Sequence, residues 1–129
     1  MKLITTILIT CCFASALIVV ATTQDNWTAP ARASAKKNPV PADAASIVRG
    51  KALYTAQCFT CHGASGRGDG PQATQLEKNP GNLTNLQGQS DGALFWKVSE
   101  GKTPMPRLAQ MLSEQQRWDV VNYIKTLSK

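Results

Sequence analysis

Two thiols and an imidazole lie within five consecutive residues, Cys58-Phe59-Thr60-Cys61-His62. Two cysteines at this spacing occur in structural disulfides, in thiol redox pairs and in half of a zinc site, and none of these uses requires the histidine. A four-ligand zinc site is further disfavoured, because His62 is the single histidine and the two other cysteines, Cys11 and Cys12, lie near the N-terminus. A thioredoxin-like pair would accompany alternating strands and helices, and the sequence has no such pattern.

The same five residues have the spacing that attaches a c-type haem. Each of the two thiols can add to one vinyl group of the porphyrin, and the imidazole that follows can then bind the iron. The sequence therefore predicts one haem c, covalently bound through Cys58 and Cys61, with His62 as an iron ligand.

A second axial ligand is needed if the iron is to stay six-coordinate and closed to small molecules. Met105 lies between two prolines, which stiffen the loop and can hold the thioether at a fixed position. Met111 lies beside Leu112, just before the last predicted helix, and is expected to pack in the core. His62 and Met105 are therefore the predicted iron ligands.

Three helices are predicted to position these residues. Apolar residues recur at helical spacing from about Asp43 to Gln57, directly before the first thiol. A second helix is expected from Asp91 to Glu100, with Ser90 as its N-cap and Gly101 as its stop. A capping box beginning at Ser113 predicts a last helix that continues to Leu127.

Long loops are predicted between these helices. Seven of the nine glycines lie from Gly63 to Gly92, where a short helical turn is expected around 72–77, and no segment has the pattern of a strand. The predicted fold class is all-α, with a few helices and glycine-rich loops that surround one haem. Such a chain has a small core of its own, which the haem would complete. The apolar residues expected to bury the haem are Phe59, Leu83, Leu86, Phe95, Trp96, Leu108 and Trp118.

The N-terminal part is expected to direct the domain out of the cytoplasm. Residues 1–21 contain one lysine and then 19 uncharged residues, and they predict a signal peptide cleaved after Ala21 or, alternatively, a membrane anchor. Residues 22–41 are predicted to be a flexible linker, and residues 42–129 to form the haem domain. The expected location is the periplasm, with anchoring to the inner membrane as the alternative.

The formal net charge is +6, but the lysines and arginines are scattered, which argues against a nucleic-acid partner. The expected partners are redox proteins that donate and accept electrons. Four basic residues flank the haem motif or the methionine loop in sequence and are candidates for a docking rim, namely Arg67, Lys97, Lys102 and Arg107.

From about Ile47 to Leu127 the sequence resembles the monohaem class I c-type cytochromes of bacteria. The resemblance rests on Gly50 and Tyr54 before the haem motif, the run from Gly66 to Pro71 after it, and Met105-Pro106 before the last helix. It implies a small cytochrome c-type fold in which the first and last helices cross at Gly50 against Tyr123. It also implies that a carbonyl near Gly70-Pro71 accepts a hydrogen bond from the His62 ring.

The predicted function is single-electron transfer between periplasmic or membrane redox partners, without enzymatic activity of its own. One alternative is an enzyme that reduces peroxide or nitric oxide, which would need an open iron position. A haem-based sensor is the other alternative, and it would need an output domain that this sequence lacks.

Overall fold

The structure, a computed structural model, describes residues 27–128. Over these residues the chain is helical and has no strand, apart from one isolated bridge between Lys102 and Met105. This confirms the predicted all-α fold. The helices are α1 (Ala31–Ser34), α2 (Ala44–Gln57), α3 (Phe59–His62), α4 (Asp91–Glu100) and α5 (Glu114–Leu127), and two short 3-10 turns span Ala73–Gln75 and Leu108–Gln110.

The ends of the three long helices follow the capping signals in the sequence. The Asp43 carboxylate accepts from the backbone N–H of Ser46 at 2.8 Å, which begins α2. Ser90 caps α4, and Gly101, with φ of +62°, ends it. At the start of α5, Ser113 and its partner three residues later form the predicted capping box.

Helices α2 and α5 cross closely at Gly50. A Cβ atom at this position would overlap the carbonyl oxygen of Asp119 and lie 2.8 Å from the Cβ of Tyr123. The rings of Tyr54 and Tyr123 pack 5.2 Å apart on the same side of the crossing. The predicted crossing, including its partner Tyr123, is confirmed.

A buried carboxylate stabilises this crossing. Asp119 is buried, and its oxygens accept from the Ser46 hydroxyl at 2.6 Å and from Arg49 Nε and Nη2, both at 2.9 Å. Burial alone would raise the pKa of Asp119, but the hydrogen bonds from Arg49 and Ser46 and the charge of Arg49 together lower it. The carboxylate is thus held in its charged form between the two helices.

A packed segment precedes α2 where a flexible linker was predicted, and we call residues 27–41 the N-terminal strap. The Asn122 side chain donates to the carbonyl of Val40 at 3.2 Å, and the Ser90 hydroxyl donates to the carbonyl of Ser34 at 2.6 Å. These bonds use main-chain carbonyls, which no periodicity of side chains reveals. The rest of the predicted linker, residues 22–26, lies outside the described residues.

The predicted signal peptide or anchor, residues 1–21, also lies outside the described residues. Among residues 27–128, none of the helices has the length and apolar character that crossing a membrane requires.

The crossing predicts that Gly50→Ala destabilises the protein. Helix propensity alone would favour alanine by about 1 kcal/mol. The added methyl group must instead push α5 away, and overpacking of this kind costs roughly 1–3 kcal/mol. Chemical unfolding should therefore show a net loss of stability. Val48→Ala, at a position on α2 that is 68% exposed, is the control and should change little. A Gly50→Ala variant more stable than the wild type would contradict the close crossing.

The Asp119 network predicts a specific dependence of stability on pH. The folded-state pKa is lowered, so the carboxylate contributes stability above its unfolded pKa of about 3.9, and that contribution is lost as the pH falls toward the folded value. The unfolding free energy of Asp119→Asn should be lower than that of the wild type at pH 7 and should fall less steeply below about pH 5. Glu77→Gln, at an exposed carboxylate, is the control. Equal slopes for wild type and Asp119→Asn would contradict the network.

Candidate functional site

A cavity of about 370 Å³ opens between the end of α2, helices α4 and α5, and the loops around residues 76–83 and 102–108. Its volume falls in the range of about 300–1,000 Å³ that is usual for small-molecule and cofactor sites. The walls are mainly apolar and are formed by side chains from every one of these elements. They include Tyr54, Leu83, Leu86, Leu94, Val98, Leu108, Val120 and Ile124.

All four predicted cofactor residues line this one cavity: Cys58, Cys61, His62 and Met105. The backbone N–H of His62 donates to the Cys58 carbonyl at 2.9 Å, which completes a helical turn across the motif. Residues three and four apart on such a turn are neighbours on one face. The turn therefore presents both thiols and the imidazole to the cavity together.

A backbone carbonyl fixes the orientation of the His62 ring. The Nδ1 atom lies 3.0 Å from the carbonyl oxygen of Gly81. Because a carbonyl oxygen can only accept, Nδ1 carries the proton and Nε2 keeps a lone pair that can bind a metal.

The acceptor carbonyl is not the one that was predicted near Gly70-Pro71. The N–H of Gly70 instead donates to the Cys61 carbonyl at 3.1 Å, so this stretch supports the backbone of the motif. The carbonyl of Gly81, in a later loop, supplies the acceptor instead.

Burial keeps the Cys58 thiol and the His62 ring uncharged. Burial and the neighbouring Cys61 raise the pKa of the Cys58 thiol to about 12, whereas reactive redox thiols have a lowered pKa. Burial also lowers the pKa of His62, although its hydrogen bond to the Gly81 carbonyl opposes this. A neutral imidazole is the form that binds metal.

A tight turn presents Met105. The N–H of Met105 donates to the carbonyl of Lys102 at 2.7 Å, and the N–H of Lys102 donates to the carbonyl of Met105 at 3.1 Å. Both flanking prolines, Pro104 and Pro106, line the cavity with it. The loop thus holds the thioether at the cavity by main-chain bonds in addition to the stiffness of the prolines.

Met111 has a different environment from the one predicted. Its side chain is 56% exposed at the end of the second 3-10 turn, and it does not line the cavity. The prediction that Met111 packs in the core is therefore wrong, because the neighbouring Leu112 occupies the buried position.

The residues expected to bury the haem divide into two groups. Leu83, Leu86 and Leu108 line the cavity as predicted. Phe95 and Trp118 do not, because they stack on each other with ring centroids 3.9 Å apart. Phe59 is 37% exposed, and Trp96 packs against Trp27. Aromatic size alone does not distinguish a core position from a cavity wall.

The cavity fits a covalently attached haem. Two thiols and a metal-binding nitrogen are presented from one turn, a thioether lies on the lining, and the remaining walls are mostly aliphatic. Among residues 27–128, no three His, Cys, Asp or Glu side chains come together as a metal-binding cluster.

The comparisons with known proteins agree with this chemistry. The family model described as Cytochrome c matches residues 47–128. The chain is 31% identical to cytochrome c6 of Bumilleriopsis filiformis over 85 residues, which are 66% of this chain and 95% of that protein. It is also 32% identical to cytochrome c6 of Alaria esculenta over 82 residues, which are 64% of this chain and 92% of that protein.

Among solved structures, the chain is similar to the reducing HAO-like protein complex of Kuenenia stuttgartiensis. The TM-score is 0.65 and the sequence identity is 31%, over 70% of this chain. The match spans only about half, 47%, of the chain in that complex.

The cavity and these similarities agree on a domain that carries one covalently attached c-type haem and transfers electrons. The chain therefore belongs to the cytochrome c family, as a class I c-type cytochrome.

Proposed function

We propose that His62 and Met105 are the two axial ligands of the haem iron, and that the protein passes single electrons between redox proteins without being an enzyme itself. The observation that carries this proposal is the position of the methionines. Met105 lines the same cavity as the attachment residues, whereas Met111 is exposed outside it.

The chain's own residues hold the attachment turn in place. When bound, the haem supplies a reversible one-electron iron couple. Gly81 orients the His62 ring through its carbonyl, and the Tyr54 hydroxyl donates to the carbonyl of Gly63 at 2.7 Å, directly after α3. Because both axial ligands would stay bound in the two oxidation states, little has to move when an electron arrives.

The surroundings favour the reduced state. A thioether is a soft, neutral ligand, and a His/Met pair raises the reduction potential of a haem. The aliphatic lining disfavours the additional positive charge of the oxidised state. The domain should therefore accept electrons readily.

An enzymatic role would need an iron position open to substrate. The similarity to a chain of a reducing HAO-like complex raises that alternative, but this chain spans only about half of that protein. A stiff loop that presents a thioether to the cavity favours a closed iron, and with it electron transfer alone.

We further propose that the protein works in the periplasm with soluble or membrane-bound redox partners. The support is the uncharged sequence over residues 3–21, which has the character of an export signal.

Replacing the two methionines separately tests the ligation. Met105→Ala should remove the sulfur ligand, lower the reduction potential and allow carbon monoxide to bind the reduced protein. Met111→Ala is the matched control and should do none of these. The measurement is the weak near-infrared sulfur-to-iron charge-transfer band of the oxidised protein, which reports a thioether on the iron. A band that survives in Met105→Ala and disappears in Met111→Ala would mean that the wrong methionine was assigned.

Basic residues at the cavity predict electrostatic docking. Lys97 and Lys102 line the cavity, and Arg107 follows Pro106 at its edge and pairs with Glu100 at 2.8 Å. Electron transfer to an acidic partner should slow as ionic strength rises, because the screening length shortens to about 8 Å at 0.15 M.

Stopped-flow kinetics at several salt concentrations provide the measurement. Lys102→Gln should weaken the salt dependence, whereas Lys51→Gln, at an exposed position on α2 that does not line the cavity, should leave it unchanged. A wild-type rate that does not respond to salt refutes the docking role.

A further inference from the structure

The N-terminal strap brings an aromatic residue to the haem cavity. Trp27, the first described residue, lines the cavity and packs against Trp96 with ring centroids 6.2 Å apart. The family match begins only at residue 47, so this contribution comes from outside the part of the chain that defines the family. Trp27 lies 31 residues before the first cysteine of the haem motif and is not part of that motif.

The strap is held by close backbone contact with α4. A Cβ atom at Gly92 would overlap the carbonyl oxygen of Ala33 and lie 2.6 Å from that of Lys36. Ala29, two residues after the tryptophan, is buried. The approach of two backbones at Gly92 therefore fixes α1 of the strap against α4, and the burial of Ala29 continues this packing toward Trp27.

A partly buried cation lies beside the tryptophan. The Lys97 ammonium lies 5.6 Å from the centre of the Trp27 ring and donates to the Gln89 side-chain oxygen at 2.6 Å. Lys97, Gln89 and Trp27 all line the cavity. Lys97 is partly buried, and this burial lowers the pKa of its ammonium.

We propose that Trp27 is a further residue of the haem site: held by the strap, it covers the rim of the cavity beside Lys97, excludes water there, and raises the reduction potential. This inference rests on the proposed electron-carrier function and extends it to a part of the chain that the family match does not include.

The covering of the rim by Trp27 has two physical effects on the reduction potential, and both raise it. The oxidised haem carries one more positive charge than the reduced haem, so water at the rim stabilises the oxidised state and its exclusion raises the potential. A nearby ammonium also disfavours the oxidised state, and it does so more strongly where water is excluded. Removing the indole weakens both effects.

The first test compares reduction potentials of the full-length holoprotein. Trp27→Ala should lower the potential, so that the equilibrium constant for reduction by a fixed donor falls several-fold, where tenfold corresponds to about 59 mV for one electron. It should also make the potential more sensitive to salt, because Lys97 becomes better screened. Trp27→Phe should restore much of the wild-type value, and Thr28→Ala, at the exposed next position, should match the wild type.

A second variant displaces the strap without touching the indole. Alanine at Gly92 suits a helix, so α4 itself should be stabilised, but its methyl group collides with the strap backbone. Gly92→Ala should therefore lower the potential in the wild-type background and cause no further fall in the Trp27→Ala background. This double-mutant cycle separates the effect of Trp27 on the reduction potential from any direct effect of α4 on the haem.

Two results would overturn the proposal that Trp27 covers the rim of the cavity. One is an unchanged potential in Trp27→Ala, and the other is an equal fall caused by Gly92→Ala in both backgrounds. The near-infrared band measured on the same samples keeps the two proposals distinct. Absence of the band from the wild type contradicts ligation by Met105. An unchanged reduction potential in Trp27→Ala contradicts the role of Trp27, whichever ligand the iron has.

Discussion

The close crossing of α2 and α5 at Gly50 is the contact on which the haem site depends. It fixes the direction of α2, and α2 ends at Gln57, immediately before the first thiol. The same crossing sets the position of α5, whose Val120 and Ile124 form part of the cavity wall. The crossing therefore fixes the position of the attachment residues, at the end of α2, relative to the apolar cavity wall on α5. The buried Asp119 carboxylate links the two helices.

The loops are ordered around the attachment turn by main-chain hydrogen bonds. The carbonyls of Thr60, Cys61 and His62 accept from the N–H groups of Gln72, Gly70 and Gly68 at 2.8, 3.1 and 2.9 Å. The glycine-rich stretch therefore packs around the motif and is bonded to its backbone, although it contains little regular structure. Because the loop bonds to backbone atoms, it can position the cysteines and the histidine while leaving their side chains directed to the cavity.

Local signals predicted the helices and the chemistry well. The bounds of α4 and the capping box of α5 follow from short-range side-chain bonds, and the five-residue motif specifies its cofactor by itself. Features that depend on distant backbone atoms could not be predicted in this way. The Gly81 acceptor, the exposure of Met111 and the packing of the strap are set by how loops return to the helices, and composition does not encode that.

In the proposed function, two protein ligands close the iron, which serves only to carry an electron. The most direct measurement is the absorption spectrum of the purified wild-type protein in both oxidation states, with and without carbon monoxide. A closed iron should be six-coordinate and low-spin in both states, and carbon monoxide should not change the spectrum of the reduced protein. A rapid spectral change on addition of carbon monoxide would show an open or labile position on the iron and would contradict closure by two protein ligands.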